Sequence, residues 1–201
     1  MHDQFKPLAA PGGNKFNIKP INMTTLTLPN LEDLSDQSKT ILNQVKSRLG
    51  KIPNLYATIG YSPASLKGML EFENLLVQEA VFSSKEKEAI NLIVSQVNGC
   101  DYCLAAHTTL AKLRGFTEDE TIAIRKAQFA DDKLNSVIKL AQSIAGNKGK
   151  ADQHLVETFF SFGYDEKALI NLLGLIMIRS FTNYVFVNSS IEIDFPLALP
   201  I

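Results

Sequence analysis

The part of this sequence best equipped for chemistry is the run Asn98-Gly99-Cys100-Asp101-Tyr102-Cys103-Leu104-Ala105-Ala106-His107, which holds both cysteines of the chain. On a helix of about 3.6 residues per turn, Cys100 and Cys103 are neighbours at i, i+3. Cys103 and His107 are neighbours at i, i+4, so two sulfurs and an imidazole share one face. Gly99 makes a turn just before them, which places the cysteines in the first turn of a new helix. Free backbone N–H groups and the helix dipole there favour thiolate over thiol. A thiolate attacks a peroxide oxygen, and an imidazole one turn away can accept or relay the thiol proton near neutrality.

Spacing alone leaves two other readings open. Free cysteines are often inert core residues. Structural zinc could take Cys100, Cys103 and His107 as ligands, but no second Cys-x-x-Cys or paired histidine supplies a fourth. His2 lies near the N-terminus and His154 stands alone. Two cysteines are too few for a disulfide framework in 201 residues. With no signal-peptide pattern in Met1 to Pro20, the expectation is a cytoplasmic protein with redox or metal chemistry.

The elements that must position these groups read as helices. Hydrophobic residues make up 45% of the chain and charged residues 20%, with a formal net charge of −1. That composition predicts one ordinary core and gives no basic face for nucleic acid. Residues 1–30, with Pro7, Pro11, Pro20 and Pro29, read as an extended N-terminal arm. Residues 31–201 read as a single all-α domain. Ser35 caps a first helix through Leu42, Val45 and Leu49, ended by Gly50 and Pro53. A second begins at Pro63. Ser83 with Glu86 is a capping box opening a third, whose apolar stripe is Ile90, Ile93, Val94 and Val97. The fourth carries the cysteines and stops near Gly115. Thr117 with Glu120 opens a fifth, Leu134 to Ala145 forms a sixth, and Asp152 and Asp165 start two more. Ala168 to Val187 is apolar enough to raise the question of a membrane span. Asn171, Arg179, Ser180, Thr182 and Asn183 interrupt it, so a buried helix and no membrane partner are expected. The tail Ile191 to Ile201 reads as extended.

Glu88, followed twelve positions later by Cys100 and then by Cys103 and His107, resembles the Glu…Cys-x-x-Cys-x-x-x-His signature of alkylhydroperoxidase D (AhpD-like) proteins. These form part of the carboxymuconolactone decarboxylase superfamily. Leu49-Gly50-Lys51-Ile52-Pro53-Asn54-Leu55-Tyr56 is similar to the approach segment of peroxidase-related members. Asn183-Tyr184 and Ile193-Asp194-Phe195-Pro196 are similar to their ending. The resemblance covers about residues 31–197.

That resemblance implies an AhpD-like helical bundle and a thiol-dependent peroxidase. Cys103 would attack the hydroperoxide, Cys100 would resolve the sulfenic acid to a disulfide, and Glu88 and His107 would relay protons. Helix-dipole reasoning instead favours Cys100 as the more acidic thiol. If the helices flanking Gly99 form an antiparallel hairpin, Glu88 and His107 are offset by three residues, about 4.5 Å of rise, within reach of a glutamate. Periodicity by itself leaves Glu88 solvated, off the apolar stripe of its helix; the resemblance buries it, beside Leu92 and Ser95. Family members often carry a second histidine just before the second cysteine. Here Tyr102 stands there, and a phenol is a poor proton relay at neutral pH. The resemblance also implies a hydroperoxide substrate and a dithiol reductant, whether a lipoyl protein, a thioredoxin-like protein or a small thiol. A trimeric or hexameric homo-oligomer is expected. No motif for flavin, haem, nicotinamide or nucleotide occurs, so no cofactor or metal is expected. Two alternatives are a decarboxylase of the same superfamily, drawing on Arg114 and Arg179, and a non-catalytic thiol sensor or assembly module.

Overall fold

The structure, a computed structural model, describes residues 25–201. The expected arm therefore lies largely outside the described residues. Of its last six residues, Leu26 runs parallel to Ser189, exchanging backbone hydrogen bonds with Asn188 and Ser190. Among the described residues this isolated bridge is the sole β pairing, and the rest is helical.

Local chemistry sets the helix ends. A 3-10 turn at Leu31–Asp33 leads to α1 (Asp36–Leu49), where the Ser35 hydroxyl accepts the Ser38 N–H. Gly50 closes α1 in the left-handed region at φ +78°, a conformation that glycine adopts without a Cβ clash. Next come α2 (Asn54–Ile59) and α3 (Pro63–Gln78), the latter with its proline in the first turn, where no N–H is missed. Ser83 and Glu86 close the expected capping box at α4 (Ser84–Val97), and Thr117 and Glu120 close a second at α6 (Glu118–Arg125). Such caps contribute about 1 kcal/mol each. Between them lies α5 (Asp101–Leu113), followed later by α7 (Asp132–Gly146), α8 (Gln153–Ser161) and α9 (Glu166–Val187).

Two features depart from the sequence reading. The short helix α2 was not expected; it starts behind Pro53 with no side-chain cap, and its six residues are too few to display a period. The stripe assigned to α4 is too narrow. Every residue from Ala89 to Ser95 is buried, because α4 packs against α5, α6, α7 and α9 at the centre of the bundle. A helix buried on most sides has no solvated face for periodicity to reveal.

α9 is long and apolar enough to cross a membrane by length and composition. In the bundle it packs against α2, α3, α4, α5 and α7. Its interrupting residues Asn171, Arg179, Thr182 and Asn183 are all buried inside the bundle, and each has hydrogen-bond partners there. Two of them, Arg179 and Asn183, act on the cysteines.

Candidate active site

The α4–α5 hairpin builds the centre of the site. Gly99 reverses the chain at φ +64°, and the Cys100 N–H bonds back to the Ser95 carbonyl at 3.0 Å. Cys100 is the N-cap of α5. Its Sγ accepts the Cys103 N–H at 3.3 Å, so the first sulfur occupies the place a serine oxygen usually takes. Both cysteines are free thiols, exposed by no more than 1%.

Hairpin register brings Glu88 to His107. Glu88 Oε2 lies 2.7 Å from His107 Nδ1, and the two side chains are only 13% and 9% exposed. Asn91, one turn along α4, donates from Nδ2 to the same Glu88 oxygen at 3.4 Å. The solvated Glu88 that periodicity suggested is thus corrected. Leu92 and Ser95 on its helix are buried as well.

A third layer comes from α9. Arg179 Nε donates to Asn91 Oδ1 at 3.1 Å, and its Nη1 donates to Thr182 Oγ1 at 3.1 Å. Nη2 stands 3.7 Å from Glu73 Oε1 of α3. A continuous polar chain therefore runs His107–Glu88–Asn91–Arg179–Glu73, from beside the sulfurs toward the surface. Asn183, one turn beyond Arg179, donates to Ser95 Oγ at 3.2 Å and accepts from Asn98 at 2.9 Å. Its side chain also favours the thiolate form of both sulfurs.

These surroundings separate the two thiols. The Cys100 S–H donates to the Cys103 sulfur, which pulls Cys103 well below the ordinary thiol range. The positive charges of Arg179 and His107 act in the same direction against the desolvation of burial. Cys100 moves the opposite way, because it gives up its hydrogen bond as a thiol and is itself buried. Proximity to the helix start therefore makes Cys100 a capping acceptor, and the more acidic sulfur is Cys103. Burial raises the Glu88 carboxyl, but the charge and hydrogen bond of His107, followed by Arg179 and Asn91, outweigh it and hold Glu88 below its usual value.

Tyr102 points into a different environment. Its hydroxyl donates to Asp194 Oδ1 at 2.5 Å and accepts the Leu55 N–H at 3.3 Å. Lys51 Nζ lies 3.0 Å from the other Asp194 oxygen and 4.0 Å from the Phe195 ring centroid. The Tyr102 ring packs between Phe186 and Phe195. Burial and the Asp194 carboxylate push the phenol well above its usual value. Tyr102 therefore latches the motif helix to α2 and to the tail.

Sequence reasoning used Arg179 and Asn183 to read the last helix as buried, gave Arg179 a chemical part only in the decarboxylase alternative, and did not single out Asn91 or Glu73. The signal available was a charge and two amides inside an otherwise apolar α9. His154 is exposed, and Arg114 joins Glu88 and Asn91 in the lining of a small cleft rather than the polar chain. Among the described residues, no group of three or more His, Cys, Asp or Glu could hold a metal ion.

Comparison with known proteins agrees with this fold. Residues 63–143, from α3 into α7, match the Carboxymuconolactone decarboxylase family. An uncharacterized protein of Bacillus subtilis (strain 168), YdfG, is 25% identical over 118 residues, spanning 57% of this chain and 80% of that protein. An uncharacterized peroxidase-related protein from Silicibacter sp. TM1040 superposes with a TM-score of 0.72 at 21% identity, over 87% of this chain and 93% of its own. The debrominase Bmp8, in complex with 2,3,4-tribromopyrrole, gives 0.71 at 20% identity, over 85% and 92%. An uncharacterized peroxidase-related protein from Ralstonia eutropha JMP134, with an alkylhydroperoxidase AhpD core, gives 0.69 at 16% identity, over 78% and 85%. The match is at superfamily level: a carboxymuconolactone decarboxylase segment within an AhpD-like helical fold.

Proposed function

We propose that this chain, an AhpD-like bundle of the carboxymuconolactone decarboxylase superfamily, is a thiol-dependent peroxidase that reduces hydroperoxides through Cys103 and Cys100. The Cys103 thiolate attacks the terminal oxygen of ROOH, forming Cys103–SOH and releasing RO⁻, which takes a proton to become ROH. Cys100 then condenses with the sulfenic acid, giving the Cys100–Cys103 disulfide and water. A dithiol reopens the disulfide by thiol exchange and leaves as its own disulfide.

Each residue has a role that its position supports. Hydrogen bonded to Glu88 through Nδ1, His107 keeps Nε2 for proton transfer at the sulfur one turn earlier. Glu88 fixes the orientation of the imidazole. Arg179 supplies a buried positive charge that favours the thiolate and steadies Glu88 through Asn91. Tyr102 is a positioning residue and takes no part in the relay. The observation that carries the reading is two buried free thiols joined through the Cys103 N–H to Cys100 Sγ bond, on the helix that also brings His107 to 2.7 Å from Glu88.

The reading extends to a cytoplasmic protein working with a lipoyl protein, a thioredoxin-like protein or a small dithiol. It also includes a homo-oligomer. Ile170, Leu173, Met177 and Tyr184 form an exposed apolar stripe along α9 that self-association would cover. Light scattering would count the subunits.

The test is steady-state consumption of an organic hydroperoxide with a dithiol. Turnover abolished by Cys103→Ser supports the peroxidase. Disulfide formation without turnover would favour a thiol sensor, and activity surviving alkylation of both thiols would favour a decarboxylase. The likeness to a debrominase favours one further reading. The same thiolate would take bromine from an electron-rich ring as a sulfenyl bromide, and Cys100 would displace bromide to give the same disulfide and a protonated ring. Bromide release from a bromopyrrole with dithiol would distinguish this reading from peroxide reduction.

A further inference from the structure

Both sulfurs are buried, so a substrate needs a way in, and two clefts reach the groups around them. One, of about 160 Å³, is polar and exposes Lys87, Glu88 and Asn91. The other, of about 230 Å³, lies between α1, α2 and α3. Leu49, Leu70 and Val77 form its walls, and Tyr56 and Glu73 close its inner end. Glu73 and Val77 line both clefts, so the clefts adjoin at Glu73, the carboxylate that ends the polar chain. Tyr56 stands at the same junction. Its neighbour Leu55 bonds to Tyr102, and its hydroxyl feels the charges of Glu73, Arg179 and Cys103. Burial keeps this phenol protonated, so its O–H can donate a hydrogen bond to an oxygen brought there.

The outer end of the apolar cleft is different. Arg48, Leu70 and Asn74 carry it into a wider hollow of about 530 Å³ edged by Gln44 and Lys67. Lys67 is paired with Glu71 at 3.6 Å. Arg48 is exposed and makes no ion pair among the described residues. The cleft thus presents an unpaired cation at its mouth, hydrocarbon along its walls and hydrogen-bonding groups at its inner end.

We propose that this cleft binds the organic part of the substrate and selects a long-chain carboxylic-acid hydroperoxide. The carboxylate meets Arg48, the chain lies against Leu49, Leu70 and Val77, and the peroxy group reaches Tyr56 on the side of Cys103. The inference rests on Cys103 being the attacking thiol. Three chemically distinct zones in one cleft match the three parts of such a molecule, whereas hydrogen peroxide would use none of the walls.

The test compares a linoleic acid hydroperoxide, its methyl ester, and hydrogen peroxide as substrates of the full chain with dithiothreitol. Arg48 and Leu49 are both exposed, so Arg48→Glu and Leu49→Asp leave the core packing alone; circular dichroism and melting confirm the fold. Arg48→Glu is expected to lower kcat/KM for the acid relative to its ester by about 10-fold. Leu49→Asp should lower both lipid substrates relative to hydrogen peroxide. Ratios that stay at their wild-type values in both variants would overturn the cleft assignment while leaving the peroxidase standing. No turnover with any of the three peroxides would remove the peroxidase reading and the cleft proposal together.

Discussion

The carboxylate of Glu88 lies 2.7 Å from Nδ1 of His107, across a hairpin and nineteen residues away in sequence. Neither helix could make this contact alone. It depends on where Gly99 turns the chain, and it leaves the imidazole with one nitrogen committed and one available. Removing the carboxylate charge while keeping the shape should therefore impair proton transfer more than folding. Glu88→Gln is expected to lower peroxide turnover by roughly 10²-fold, the scale of one acid–base partner. Its circular dichroism should match wild type. A variant that unfolds would make Glu88 a structural residue.

Arg179 gives a prediction with a definite sign. The Cys103 thiol is pulled down to about 6, so its alkylation rate should rise through a midpoint near pH 6 and level off by neutrality. Arg179→Gln removes a buried cation that favours the thiolate, so the midpoint should move up and alkylation at pH 6 should slow. Arg179→Lys keeps the charge and should restore most of the shift, although it loses the geometry of the guanidinium. Breaking a buried charged network also destabilises, so melting is recorded beside each pH profile. A midpoint unmoved in Arg179→Gln would assign the residue to packing alone.

The hairpin, and with it the Glu88–His107 pair, was legible in the sequence because Gly99 and the two capping boxes mark chain reversals by local chemistry. Counting outward from the glycine gives the register. What could not be read was the contribution of α9. Arg179 and Asn183 stand more than seventy positions from the cysteines they serve. On a helix with this composition they look like interruptions of an apolar run. The order of acidity of the two sulfurs was hidden for a related reason. The dipole argument ranks them by distance from the helix start, but Cys100 is itself the cap, and a hydrogen bond between the sulfurs overrides that ranking.

Tyr102 illustrates another limit. It stands where family members often carry a second histidine, a position the sequence reads as a poor relay without saying what the phenol does instead; its hydroxyl joins Asp194 of the tail and the Leu55 N–H. Tyr102→Phe should therefore cost about 1–2 kcal/mol of stability, with the buried Leu55 N–H left unmatched. For a chain of this size that is a fall in melting temperature of about 2–8 °C. The pH midpoint for Cys103 alkylation should not move. A shifted midpoint with unchanged melting would place Tyr102 in the relay.

The most direct measurement is a single-turnover titration of the reduced protein with one equivalent of hydroperoxide, followed by thiol counting and peptide mapping. Two thiols should disappear per peroxide, joined as the Cys100–Cys103 disulfide. In Cys100→Ser the oxidation should stop at a sulfenic acid on Cys103 that dimedone traps. Thiols that survive the peroxide unchanged, or a sulfenic acid found only on Cys100, would contradict the account.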